Sequence, residues 1–243
     1  MYGFTKLAAA ALAALPLASA LPLLTPLAAF HTLAISSGLA PGQGQAPKCN
    51  ITQANLAADL PANLISLLPP SDATLSQVTI GFGTQNYTCT NGKFVNVGAL
   101  AQVFDISCVQ ELPAISASIS AVINEIQGLN GGIALEEMLA KMAQWAGFKL
   151  ADHYFDTSSG SLAPVFNFQV SGGDFVIGKK VLDIADPFNP VVNVDWLQLS
   201  ALAGDAAKFL VREQTAGGQA PATCTVENET LQVPYAAKYW FFA

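Results

Sequence analysis

Val78-Thr79-Ile80-Gly81-Phe82-Gly83-Thr84-Gln85-Asn86-Tyr87-Thr88-Cys89 carries two alternating runs in series. Val78, Ile80 and Phe82 are apolar at every second position, and Gln85, Tyr87 and Cys89 continue the alternation on the opposite parity. Side chains change face at every residue of a strand, so this pattern predicts a half-buried β-strand. Gly81 and Gly83 stand between the two runs, and a glycine-marked bulge is expected to switch the phase there. On that reading Gln85 and Tyr87 point inward beside Cys89, while Asn86 and Thr88 point outward.

Outward from this stretch the same grammar repeats. Residues 94–104 form a second strand candidate, and further short runs bounded by Gly, Pro, Asn and Asp lie around 150–155, 164–170, 174–182, 191–199, 207–215 and 231–242. Eight strands at this spacing predict a mainly β fold, an antiparallel β-sandwich or barrel. Between the second and third runs Ile115, Ile119, Val122 and Ile126 recur at helical spacing. Leu135, Met138, Leu139, Met142 and Trp145 do the same, so a small helical insertion is expected at about 111–147. Residues 53–68 predict a short helix interrupted at Pro61, ahead of the Pro69-Pro70 break.

The N-terminus has a different logic. Lys6, the apolar run from Leu7 to Leu17 and the small residues Ala18-Ser19-Ala20 predict a signal peptide over 1–20, with the mature chain starting at Leu21. Residues 21–48 end in a Gly/Pro/Gln-rich tract and read as a flexible leader or pro-segment, leaving 49–243 as a single domain. About 220 of the 243 residues then remain, enough for one core. The expected location is extracellular, and after the signal no apolar stretch is long enough for a membrane span.

Charge excludes a function class. The chain has a formal net charge of −7, and Arg212 is its one arginine, so no basic stripe exists to neutralise the phosphates of a nucleic acid. Cys49, Cys89, Cys108 and Cys224 form an even set in an exported chain, which predicts two disulfides with three connectivities open. Their spacing fits no paired zinc-ligand pattern. Asn50-Ile51-Thr52, Asn86-Tyr87-Thr88 and Asn228-Glu229-Thr230 are acceptor triplets for asparagine-linked glycans.

Candidate chemistry is sparse. Gly81-Phe82-Gly83-Thr84-Gln85-Asn86 lacks the third glycine and the following helix of a dinucleotide fingerprint. No Gly-x-Ser-x-Gly elbow is present. His153 is the one histidine of the expected folded body, since His31 lies in the leader; on a strand its ring shares a face with Ala151 and Phe155, opposite Asp152, Tyr154 and Asp156. No metal site is expected from one histidine. Arg212, followed by Gly217 and Gly218, reads either as the start of an ordinary turn or as a bidentate grip on an anionic group. A carboxylate pair for hydrolysis leaves no mark in sequence spacing.

The segments Gly83-Thr84-Gln85-Asn86-Tyr87-Thr88-Cys89, His153-Tyr154-Phe155, Asp195-Trp196-Leu197, Arg212 to Pro221 and Val233-Pro234-Tyr235 to Tyr239 occur in an order that resembles a family of uncharacterised secreted fungal proteins with bacterial relatives. Its fungal members often carry the name malate dehydrogenase. That name conflicts with this chain, which has no nucleotide fingerprint, a single arginine and too little length for two domains. No nicotinamide or other cofactor is expected. The resembling segments include Cys89 and Cys224, which implies the pairs Cys89 with Cys224 and Cys49 with Cys108. They also draw a ligand site toward His153, with Gln85, Tyr87, Trp196 and Arg212 around it, suited to an acidic or polyhydroxylated small ligand. The functional expectation is a secreted glycoprotein acting as a non-catalytic binding module for a glycan, a lipid or a host surface. The alternative is an extracellular hydrolase built on two carboxylates.

Overall fold

A computed structural model describes residue 51 and residues 54–107 and 149–243. The chain enters through a short helix α1 (Leu56–Asp59) and a 3-10 turn (Ala62–Leu67), with Pro61 between them. Eight strands follow: β1 (Leu75–Thr90), β2 (Lys93–Asp105), β3 (Lys149–Asp156), β4 (Ala163–Asn167), β5 (Phe175–Ile184), β6 (Trp196–Ala203), β7 (Phe209–Gly217) and β8 (Thr230–Phe242). Each pairs antiparallel with the next, and β8 pairs with β1, so the sheet is a closed barrel. The signal peptide, the leader, Asn50, the pair Cys49 with Cys108 and the helical insertion lie outside the described residues.

Local chemistry sets the first hairpin. Asn91 and Gly92 both take positive φ, 53° and 76°, in a two-residue connection, the backbone that a right-twisted hairpin requires. Closure then rests on the long β1–β8 ladder, which runs without interruption from Gln77 opposite Phe241 to Thr88 opposite Thr230.

That ladder corrects one expectation. No bulge separates Gly81 from Gly83, and the phase of β1 never switches. Both faces of the strand are buried instead. Val78, Ile80 and Phe82 face outward, where Leu56, Leu60, Leu64 and Leu67 of the N-terminal segment cover them together with Trp240 and Phe242. Thr79, Gly81, Gly83, Gln85, Tyr87 and Cys89 face the barrel interior. Gly81 lies under the Tyr239 ring, and a Cβ at Gly83 would stand 2.0 Å from the Leu100 carbonyl oxygen. The irregularity sits further along, where β2 carries an extra residue opposite the step from Asn86 to Tyr87.

The interior is packed across its diameter. Phe166 on β4 meets Tyr239 and Phe241 on β8 edge-on, at ring separations of 5.1 and 5.3 Å, and Ala101, Val103, Val176, Leu199 and Leu210 fill the space around them. Small eight-stranded barrels hold either such a packed core or one small ligand. Cys89 and Cys224 form the expected disulfide, tying the end of β1 to the β7–β8 connection. Among the described residues no helix is long and apolar enough to cross a membrane.

Candidate functional site

Strand direction places the chemistry. The hairpins β1–β2, β3–β4, β5–β6 and β7–β8 turn at one end of the barrel, and the interior near that end is polar. Gln85 and Tyr87 project into it from β1, His153 from β3, Arg212 from β7, and Tyr235 and Tyr239 from β8. Four of the five expected site residues therefore meet. Trp196 does not join them: it lies on the outer face with Val211 and Trp240, and its indole N–H donates to the Asp186 carboxylate at 2.9 Å. Leu197, one position on, takes the inward direction opposite Arg212.

The interior groups are linked in a chain. The Tyr87 hydroxyl donates to the Gly218 carbonyl at 2.6 Å, and the Asn96 amide donates to Gln85 Oε1 at 3.0 Å. Gln85 turns its Nε2 toward Tyr235, but that nitrogen completes no hydrogen bond and is buried. The Tyr235 and Tyr239 hydroxyls are 3.1 Å apart. Burial raises both phenols above the ordinary tyrosine range, and Arg212 pulls against that rise. Arg212 itself donates through Nε and Nη2 to the Asp195 carbonyl, at 3.0 and 2.7 Å. Gly217 and Gly218, at φ 67° and 92°, lay the β7–β8 connection over this end; a Cβ on Gly218 would stand 3.1 Å from Gln85 Cγ.

His153 sits deeper than the rest. Its ring is 3% exposed, stacks on Phe166 at 4.1 Å and places Nδ1 2.9 Å from the Val165 carbonyl. Burial lowers its pKa to about 4, so the ring is neutral at physiological pH and donates from Nδ1 to that carbonyl. Its geometry is that of a satisfied core group beside the site.

The β4–β5 ladder is short. β4 pairs with β5 only from Val165 to Asn167, so beyond Ile177 the upper half of β5 is hydrogen-bonded to β6 alone. Phe155, Leu197 and Arg212 face inward yet are partly exposed. Lys180 and Asp183 form an ion pair on this unpaired length of β5. Burial and the adjoining Asp183 carboxylate raise the pKa of Asp195, while Arg212 lowers it. Among the described residues Arg212 has no carboxylate within 4 Å, and no group of three His, Cys, Asp or Glu side chains is arranged to hold a metal ion.

A family model described as a protein of unknown function (DUF3455) matches residues 70–243. The chain belongs to that family. No curated protein and no solved structure matches it. The DUF3455 match begins after the N-terminal segment and covers every strand of the barrel.

Sequence reasoning missed Asp183, Asp195 and Lys180, which are ordinary solvated charges until β5 leaves β4. Tyr235 and Tyr239 were detectable, since residues four apart on a strand share a face. A separate shallow groove of about 300 Å³ lies on the outer surface, lined by Tyr154, Phe175, Asp156, Ser158 and Asn167 among others. Of the glycan acceptors, Asn228 is exposed at φ 65°, and Asn86 is half-buried, its Oδ1 accepting from the Thr84 hydroxyl at 3.0 Å.

Proposed function

We propose that the protein is a secreted, non-catalytic binding module that takes a small acidic or polyhydroxylated ligand at the open side of its barrel. Arg212 carries the reading. It is a cation aimed into a closed barrel, reached by solvent, and without an ion-pair partner within 4 Å among the described residues. A buried or half-buried charge is costly unless something pairs with it, and a bound ligand supplies that partner. Phe155 and Leu197 give the opening apolar walls, the usual mixture for a small-molecule site. Residues 1–20, the Cys89–Cys224 disulfide and the glycan acceptors support an extracellular setting.

The hydrolase alternative would draw on Asp183 and Asp195. These carboxyls lie within hydrogen-bonding reach of one another, whereas glycoside hydrolysis needs a separation of about 5 Å or more to admit the sugar or a water. Asp183 is also held by Lys180. Binding without turnover is the better use of this geometry.

A titration of the ¹⁵N-labelled exported protein with glucuronate and with methyl glucoside tests the proposal. Amide shifts should concentrate at residues 83–87, 195–197 and 212–218 for at least one of them. Shifts confined to the outer groove around Tyr154, or none with either compound, would overturn it.

A further inference from the structure

The donors and acceptors of the opening narrow the ligand, and this step rests on the binding reading above. A guanidinium has five N–H groups and no acceptor. Arg212 spends two on the Asp195 carbonyl and turns a further edge to Tyr239. Gln85 Nε2 brings two more hydrogens, turned toward the Tyr235 hydroxyl but completing no hydrogen bond. The amide's own acceptor, Oε1, is already taken by Asn96, and the phenols of Tyr235 and Tyr239 spend one hydroxyl hydrogen on each other and leave the second. The surplus is of donors, beside one positive charge.

A neutral sugar hydroxyl needs an acceptor as well as a donor, so this cluster leaves half of its capacity unmet. A carboxylate accepts only, is planar, and matches the fork of a guanidinium with two parallel bonds. We infer that the ligand carries a carboxylate, held between the N–H groups of Arg212 left over from Asp195 and Tyr239 and the Gln85 amide, with its apolar part against Phe155 and Leu197. Asp195 and Asp183 form the outer rim and keep the site from accepting anions indiscriminately: a multiply charged anion would have to approach Asp183. The ligand class is a monocarboxylate with an apolar or aromatic body.

Gln85 also gives the inference a signature that a structural role would not. Its nitrogen has no partner, while its Oε1 accepts from Asn96, so removing the side chain relieves one unmet group and leaves another, and the change in stability does not report on a ligand. If it serves a ligand, removal should cost affinity.

The test uses ¹⁹F NMR on the full exported chain at about pH 5.5, above the carboxylate range, with 4-fluorobenzoate and its neutral analogue 4-fluorobenzamide as probes. Benzoate should bind saturably and at least about tenfold more tightly than the amide, the scale of a charge-assisted bidentate contact. Arg212→Gln and Gln85→Leu should each weaken benzoate by about tenfold or more. Equal binding of acid and amide, both weakened by Arg212→Gln, would overturn the carboxylate while leaving the opening as a ligand site. Binding of neither probe, or binding untouched by both substitutions, would overturn the site as well.

Discussion

Lys238 on the outer face of β8 donates to the Asp59 carboxylate at the end of α1, and its ammonium lies 3.7 Å from Glu213 Oε1 on β7. The ammonium also stands 4.5 Å from the centre of the Trp240 ring, whose N–H donates to the same Glu213 oxygen at 2.9 Å. This group pins the N-terminal segment to the barrel, where Leu56, Leu60, Leu64 and Leu67 supply the apolar cover. Glu213 is fully buried and its second oxygen has no partner. Desolvation outweighs the attraction of Lys238 and lifts its pKa to about 7.

The native state therefore keeps a proton that the unfolded chain releases. Stability from this group is complete below about pH 4.5, the unfolded value, and is lost as pH rises through 7. Glu213→Gln should remove a pH dependence of about 3 kcal/mol across that window. Urea denaturation at pH 4.5 and at pH 8 measures it. Parallel profiles for wild type and variant would show that Glu213 is charged in the folded protein.

Gly83→Ala should be among the most damaging single changes. A methyl there would meet the backbone of Leu100 and Ala101 at 2.0 and 2.5 Å, and backbone in a closed barrel has nowhere to move. A loss of at least about 3 kcal/mol is expected. A thermal midpoint within a degree of wild type would mean that β1 and β2 separate more easily than this register allows.

The strands were legible because alternation and turn residues are local signals, and the ends of β2, β3 and β8 fall close to where the sequence put them, while β6 starts five residues later than expected. Closure was not legible, since it depends on β1 meeting β8, about 160 residues away, with no local mark. The false bulge at Gly81 and Gly83 has the same origin. A strand buried on both faces was read as a strand with one buried face, because the covering leucines belong to a separate segment. The resembling segments draw Trp196 to the site, yet a second apolar layer outside the barrel takes it, with Asp186 ready for its N–H. Arg212 stands out as the one arginine of the chain, and Gln85 by its inward parity on β1; Asp195 lies in a resembling segment but carries no mark of its own among seventeen acids.

The Cys89–Cys224 disulfide spans 135 residues of sequence and joins the end of β1 to the β7–β8 connection at the polar end of the barrel. Replacing both cysteines by alanine should cost up to about 5 kcal/mol in the chain-entropy model. The β1–β8 ladder ends beside this bond, so amide exchange should rise first at Thr88, Thr90 and Thr230. Uniform acceleration over all strands would instead indicate that the bond stabilises only through the unfolded chain.

His153 sets a pH response of the opposite sign. Its folded pKa of about 4 lies below the ordinary 6.5, so its neutral form is bound more tightly by the fold than its cation. The stability it contributes is complete above about pH 6.5 and is lost as pH falls toward 4. Between pH 4.5 and 6.5 this slope runs against that of Glu213, and the wild-type curve should look nearly flat there. Glu213→Gln uncovers it: in that background stability should climb with pH up to about 6.5. Adding His153→Leu should flatten the curve again, because leucine keeps the contact with Phe166 and cannot be protonated. At pH 7 His153→Ala should lower the midpoint by several degrees, since it removes a ring stacked at 4.1 Å and leaves the Val165 carbonyl without its donor. An unchanged midpoint for His153→Ala, together with loss of ligand affinity, would place the ring in the site and not in the core.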